Sequence, residues 1–175
     1  MRIATLLTFL IILAAPGTTR AGAPTDTAAP GGKLHWQSFN DGFAAARQNG
    51  RKIIVDVYTD WCGWCKKLDK DVYGDPKVAA YLRDHFVLVK LNPEIKANVS
   101  YRDTVYSAAV FAQGFGVSGY PTILFFEPSG EPIDRLGGYV GADKFLPIIK
   151  FIGEDYFKKM KWEDFMKMEG DPAHQ

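Results

Sequence analysis

The two cysteines of the chain, Cys62 and Cys65, stand three apart in Trp61-Cys62-Gly63-Trp64-Cys65-Lys66. Thiols at this spacing can close a structural disulfide, help to bind a metal, or carry out thiol-disulfide exchange. A structural bridge here would close a loop of about four residues and contribute about 2 kcal/mol in the chain-entropy model. A chain with this much apolar sequence has little need of it. Zinc wants four ligands, and His35, His85 and His174 show no ligand-pair spacing with one another or with the cysteines. Exchange chemistry accounts for more of the residues. At the start of a helix the first cysteine is outside the regular turn, so it can swing to the second, and unpaired amides with the positive end of the dipole favour its thiolate. Cys62 is then the attacking thiol, expected to face solvent, and Cys65 the resolving thiol one turn inward.

Placing the pair there requires a strand before it and a helix after it, and both are legible. Ile53-Ile54-Val55-Asp56-Val57-Tyr58 is a nearly unbroken β-branched run, the pattern of a strand buried on both faces, with Asp56 as its one acidic interruption. A helix is expected over 63–73, a second one opened by Asp75-Pro76, and a buried strand over 86–91. The remaining pattern predicts helices over 38–48, 100–113, 142–152 and 155–168, and strands over 122–126 and 132–136 around Pro128-Ser129-Gly130. Strands alternating with helices and closed by a hairpin imply an α/β fold, a central mixed sheet flanked by helices.

Composition agrees with one such domain. Of 175 residues 47% are hydrophobic, 14% aromatic and 23% charged, which excludes a disordered chain. Lys and Arg number 21 against 20 Asp and Glu, and Arg2 and Arg20 precede the fold, so the balance offers no general attraction for nucleic acid or anionic lipid. Residues 1–23 have the basic start, short apolar run and small-residue end of a secretory signal peptide, with cleavage after Ala21 or Ala23. The run is shorter than the roughly 20 residues of a membrane-spanning helix. Residues 24–33 hold no large apolar side chain and are expected to be a flexible linker, leaving 34–175 as the folded domain.

The segment from Ile54 to Lys66 resembles the strand, active-site turn and helix of the thioredoxin-like superfamily position by position. The family's buried acid falls on Asp56, its neighbouring strand lysine on Lys90, its cis-proline loop on Gly119-Tyr120-Pro121-Thr122, and the glycine beyond its hairpin on Gly138. The resemblance implies that Cys62 and Cys65 form a redox disulfide, that Asp56 and Lys90 serve the catalytic thiols, and that Trp61, Gly63, Trp64, Tyr120, Pro121 and Gly138 meet the substrate. For Asp56 two readings stay open: desolvation raises its pKa so that it takes the proton of Cys65, or it is a structural acid paired with Lys90. No cofactor or metal is implied.

Within the superfamily the leader, Asp60-Trp61-Cys62-Gly63-Trp64-Cys65-Lys66-Lys67-Leu68 and Asp75-Pro76-Lys77-Val78 are similar to exported bacterial members, the SoxW type and the C-terminal domain of DsbD. That implies a periplasmic thiol-disulfide oxidoreductase acting on disulfides of exported proteins, with electrons from a membrane donor of the DsbD or CcdA type. A disulfide oxidase or isomerase, and a binding or chaperone module with an incidental CxxC, are the alternatives. Two features depart from the simplest members. Gly63-Trp64 replaces Gly-Pro between the cysteines, and the stretch 92–119 is longer, with an added helix expected before the cis-proline loop. A C-terminal helical extension is expected to show Phe157, Met160 and Met168 on one side and Trp162 and Met166 on the other.

Overall fold

The computed structural model describes residues 33–170. The expected signal peptide and nearly all of the linker lie outside the described residues, as does 171–175. The elements are β1 (Trp36–Gln37), α1 (Phe39–Asn49), β2 (Lys52–Val57), α2 (Gly63–Asp71), α3 (Pro76–His85), β3 (Phe86–Leu91), β4 (Asn98–Tyr101), β5 (Thr104–Ser107), α4 (Ala108–Gly114), β6 (Thr122–Phe126), β7 (Pro132–Gly137), α5 (Ala142–Gly153), a 3-10 turn (Tyr156–Lys158) and α6 (Trp162–Glu169).

Five strands form a mixed sheet in the order β1-β3-β2-β6-β7. β3 runs parallel to β1 and β2, whereas β6 is antiparallel to both β2 and β7. β2 lies in the middle and every residue of it is buried, as its unbroken apolar run requires. Its side chains alternate between two cores. Ile53, Val55 and Val57 meet Phe39, Phe43, Phe111 and Phe126 on one face, and Ile54 meets Leu68, Leu82, Phe145 and Ile149 on the other. Asp56, two residues after Ile54, therefore points to the face covered by α2, α3 and α5.

The helices stop and start on local chemistry. Ser38 caps α1 by accepting the Asp41 N–H, and Gly50 ends it at φ 71°, in the left-handed region that an L side chain resists. Asp75 caps α3 by accepting the amides of Lys77 and Val78, with Pro76 in the first turn where its missing N–H costs nothing.

Two expectations are corrected. The helix over 100–113 exists only from Ala108 onward, and its first half is the β4-β5 hairpin. Val99 and Tyr101 alternate inward with exposed neighbours, Arg102 takes φ 54° at the turn, and Thr104, Val105 and Tyr106 are strand formers, so the helix waits for Ser107 to cap it by accepting the Val110 N–H. The helix over 155–168 is likewise broken. Asp155 sits at φ 60° with its carboxylate 2.9 Å from Lys52 Nζ and 2.8 Å from Lys158 Nζ, and the chain makes a short 3-10 turn before α6 begins. The residue that α6 buries is Phe165, packed among Phe151, Tyr156 and Trp162, rather than either expected apolar side.

Candidate active site

Cys62 is the N-cap of α2, and its Sγ accepts the Cys65 N–H at 3.0 Å. The apolar strand β2 ends at Val57, the Cys62 N–H donates to Thr59 O at 3.1 Å across the turn, and Gly63 opens the helix. The two sulfurs are bonded at 2.13 Å with the Cα atoms 5.3 Å apart. Both cysteines are buried in this disulfide state, Cys62 at 4% exposure and Cys65 at 2%, so the expected contrast in exposure is absent. Each sulfur is bonded to the other, which the exposure argument, made for free thiols at a helix start, did not include.

The two indoles are the exposed part of the site, at 67% for Trp61 and 59% for Trp64. Trp61 Nε1 donates to the Glu94 carboxylate at 2.9 and 3.0 Å, and its ring meets Tyr120 edge-on at 5.9 Å. Trp64 lies tilted on Tyr139, 5.4 Å between centroids. The Tyr120–Pro121 peptide is cis. Gly138, at φ 82°, donates its N–H to Pro121 O at 2.8 Å and so fastens this loop to the end of β7. Gly63 has open space where a side chain would be, so packing does not demand a glycine there.

Below the disulfide, Asp56 is fully buried and pairs across the strands with Lys90, whose Nζ lies 2.6 Å from Asp56 Oδ2. The other oxygen, Oδ1, is buried and makes no hydrogen bond of ordinary geometry, and the buried Tyr73 hydroxyl, itself without another partner, stands near enough to Asp56 to favour its carboxylate. Burial raises the Asp56 carboxyl above its ordinary range, and the Lys90 charge offsets this only in part. Burial alone would lower Lys90, yet Asp56 and a second carboxylate, Asp69 at 2.5 Å, together hold it above its ordinary value. One ammonium thus serves two acids.

The structure brings together Cys62, Cys65, Asp56, Lys90, Trp61, Tyr120 and Pro121 at the start of α2 and the carboxyl ends of β2 and β3. Sequence reasoning missed Asp69, Glu94 and Arg135. Asp69 carried a signal, since it stands seven residues after Cys62, two turns along the same helix face. Glu94 and Arg135 carried none: they act across the chain, Arg135 by donating from Nη1 to Phe115 O at 2.9 Å and to Gly116 O, which braces the segment leading to Pro121.

A helix-capping disulfide over a buried acid, beside a cis-proline loop on a mixed sheet, defines a protein of the thioredoxin fold. The chain belongs to the thioredoxin-like domain family, whose model matches residues 39–153. It is 30% identical over 116 residues to the thiol:disulfide interchange protein DsbD of Pseudoalteromonas atlantica, covering 65% of this chain and 18% of that protein. The chain thus spans less than a fifth of that relative. Among solved structures it is similar to a candidate disulphide-isomerase from Bacteroides thetaiotaomicron, at 33% identity and TM-score 0.55, over 67% of this chain and 89% of that one. A thioredoxin-fold protein from Helicobacter pylori superposes with TM-score 0.61 at 21% identity, over 73% of this chain and 91% of that one, a likeness of fold.

Proposed function

We propose that the protein is an exported thiol-disulfide oxidoreductase that reduces disulfides of other exported proteins in the periplasm. The observation that carries this is the Cys62 sulfur at the N-terminus of α2, accepting the Cys65 amide above the buried Asp56. In the dithiol state that amide and the helix terminus stabilise the Cys62 thiolate. The thiolate attacks a substrate disulfide R–S–S–R′, forming Cys62–S–S–R and releasing R′–S⁻. Asp56 takes the proton of Cys65, whose thiolate attacks Cys62 Sγ; R–S⁻ leaves and the observed disulfide closes. Trp61, Trp64, Tyr120 and Pro121 form the surface on which the substrate chain lies, and Gly138 holds that surface in place. A membrane dithiol donor of the DsbD or CcdA type returns two electrons.

The reducing direction follows from the charges. Gly63 and Trp64 bring no cation between the cysteines, and Lys67, the helix lysine after Lys66, is held by Asp71 at 2.5 Å. Asp56 and Asp69 share the single Lys90 ammonium, which leaves one net negative charge among the three when both acids are ionised, and Glu94 lies against Trp61. A weakly stabilised thiolate makes the disulfide hard to reduce, so equilibration with glutathione is expected to give a potential nearer to about −270 mV than to about −120 mV. A value above about −180 mV makes an oxidase or isomerase the better description. Failure to reduce insulin disulfides in the presence of dithiothreitol would instead favour a binding module.

A further inference from the structure

Between the start of β1, the end of α2 and α3 lies a groove of about 740 Å³. Its lining includes Lys33, Trp36, Asp69, Tyr73, Arg83 and Lys90, and Asp56 lies beyond Lys90. The Lys90 ammonium is 4.7, 5.0 and 5.4 Å from the ring centroids of Trp36, Tyr58 and Tyr73, an aromatic surround that holds it between the two carboxylates. The Lys90 side chain is 19% exposed and that of Asp69 49%, so the cluster meets solvent on this side.

We propose that Asp69 is a positioning residue for proton transfer at Asp56, drawing the shared Lys90 ammonium toward the groove so that Asp56 is only half neutralised. This rests on the reading of Asp56 as the acceptor of the Cys65 proton. With both acids ionised the three charges sum to minus one, and a proton arriving on Asp56 cancels the excess. A lysine wholly committed to Asp56 would leave it a stable carboxylate and a poor base. Oδ1 is the oxygen that receives the proton, because Oδ2 is occupied by the Lys90 ammonium whereas the other donor near the carboxyl is the neutral Tyr73 hydroxyl. In that step the Cys65 S–H bond breaks, its proton goes to Oδ1, and the sulfur electron pair forms the new bond to Cys62 Sγ as the substrate thiolate leaves. The groups to be reckoned with around Asp56 are Cys65 and Asp69 from α2, Tyr73 beyond it, Lys90 from β3 and Tyr58 after β2, with Lys33 and Arg83 on the groove wall.

Two measurements test this. Carboxyl ¹³C titration of the disulfide form reads Asp56 without turnover, and single-turnover release of thionitrobenzoate from a Cys62 mixed disulfide reads the step. Asp69→Asn is expected to lower the Asp56 midpoint by about one pH unit and to carry the acid limb of thionitrobenzoate release down with it. Lys90→Met moves both upward, Asp69→Glu restores the wild-type profile, and Asp71→Asn, which removes a carboxylate of the same helix that pairs with Lys67, leaves the midpoint in place. An unchanged midpoint in Asp69→Asn, or an equal fall in Asp71→Asn, overturns the proposal. Wild-type release in Asp56→Asn overturns the proton-acceptor reading instead, and the titration still decides whether the ammonium is shared.

Discussion

Cys62 and Cys65 differ less in burial than in what the backbone does for them. Only Cys62 stands at the helix start with an amide directed at its sulfur, and that asymmetry makes the assignment of roles testable. Cys65→Ser is expected to trap mixed disulfides on Cys62, visible on non-reducing gels, and Cys62→Ser to abolish both trapping and turnover; capture by Cys65 alone reverses the roles. Asp56 yields a second test. Its folded pKa lies above the unfolded value of about 3.9, so between the two values the folded state holds more proton and stability falls as pH rises through that window. Each unit of upward shift costs about 1.4 kcal/mol at higher pH. Asp56→Asn should therefore raise the melting temperature at pH 8, by about 2–4 °C per kcal/mol, and leave it nearly unchanged at pH 3; an equal rise at both shows that charge is not the cause. At this scale the sequence was most informative where chemistry is local. The cysteines and Asp56 could be found from type and spacing and Pro121 from the resemblance of its loop to the family's, while Glu94 and Arg135 could not, because their partners lie in distant segments.

Among the elements, long apolar runs were legible and short or composite ones were not. β2, β3 and β6 lie within a residue of their predicted bounds because burial on both faces leaves a continuous apolar signature. The two-residue β1 is too brief for any periodicity to show. The stretch from Ser100 to Gln113 misled because its alanine-rich second half is helical and its first half is four-residue strands, whose alternation is easily taken for a helix face. In α6 the anchor is one residue, Phe165, fully buried among Phe151, Tyr156 and Trp162. Phe165→Ala is expected to destabilise the domain by about 3–5 kcal/mol, measured by urea denaturation. A loss under about 1 kcal/mol would mean that α6 is not part of the cooperative unit.

For the whole molecule, the central mixed sheet and its flanking helices agree with the α/β class expected from the alternation of strands and helices. Among the described residues no helix is long and apolar enough to cross a membrane. The export reading rests on residues outside that range, and it is checked by mass spectrometry of the periplasmic fraction, where the mature chain is expected to begin at residue 22 or 24. Intact Met1 on a membrane-bound product would sink it. The strand order also governs the order of events as the chain is made. Ile54 of β2 has Leu88 of β3 on one side and Phe125 of β6 on the other, so the sheet's centre stays open along one edge until the chain is available as far as β6, at the start of its last third. The two thiols, three apart, can already exchange with a foreign disulfide before the segment bearing Tyr120 and Pro121 is in place. The hairpin inserted after β3 lengthens that interval with every residue it adds. The pairing of β6 with β2 is therefore the step that sets the Tyr120–Pro121 loop beside the active-site turn, where Tyr120 meets Trp61.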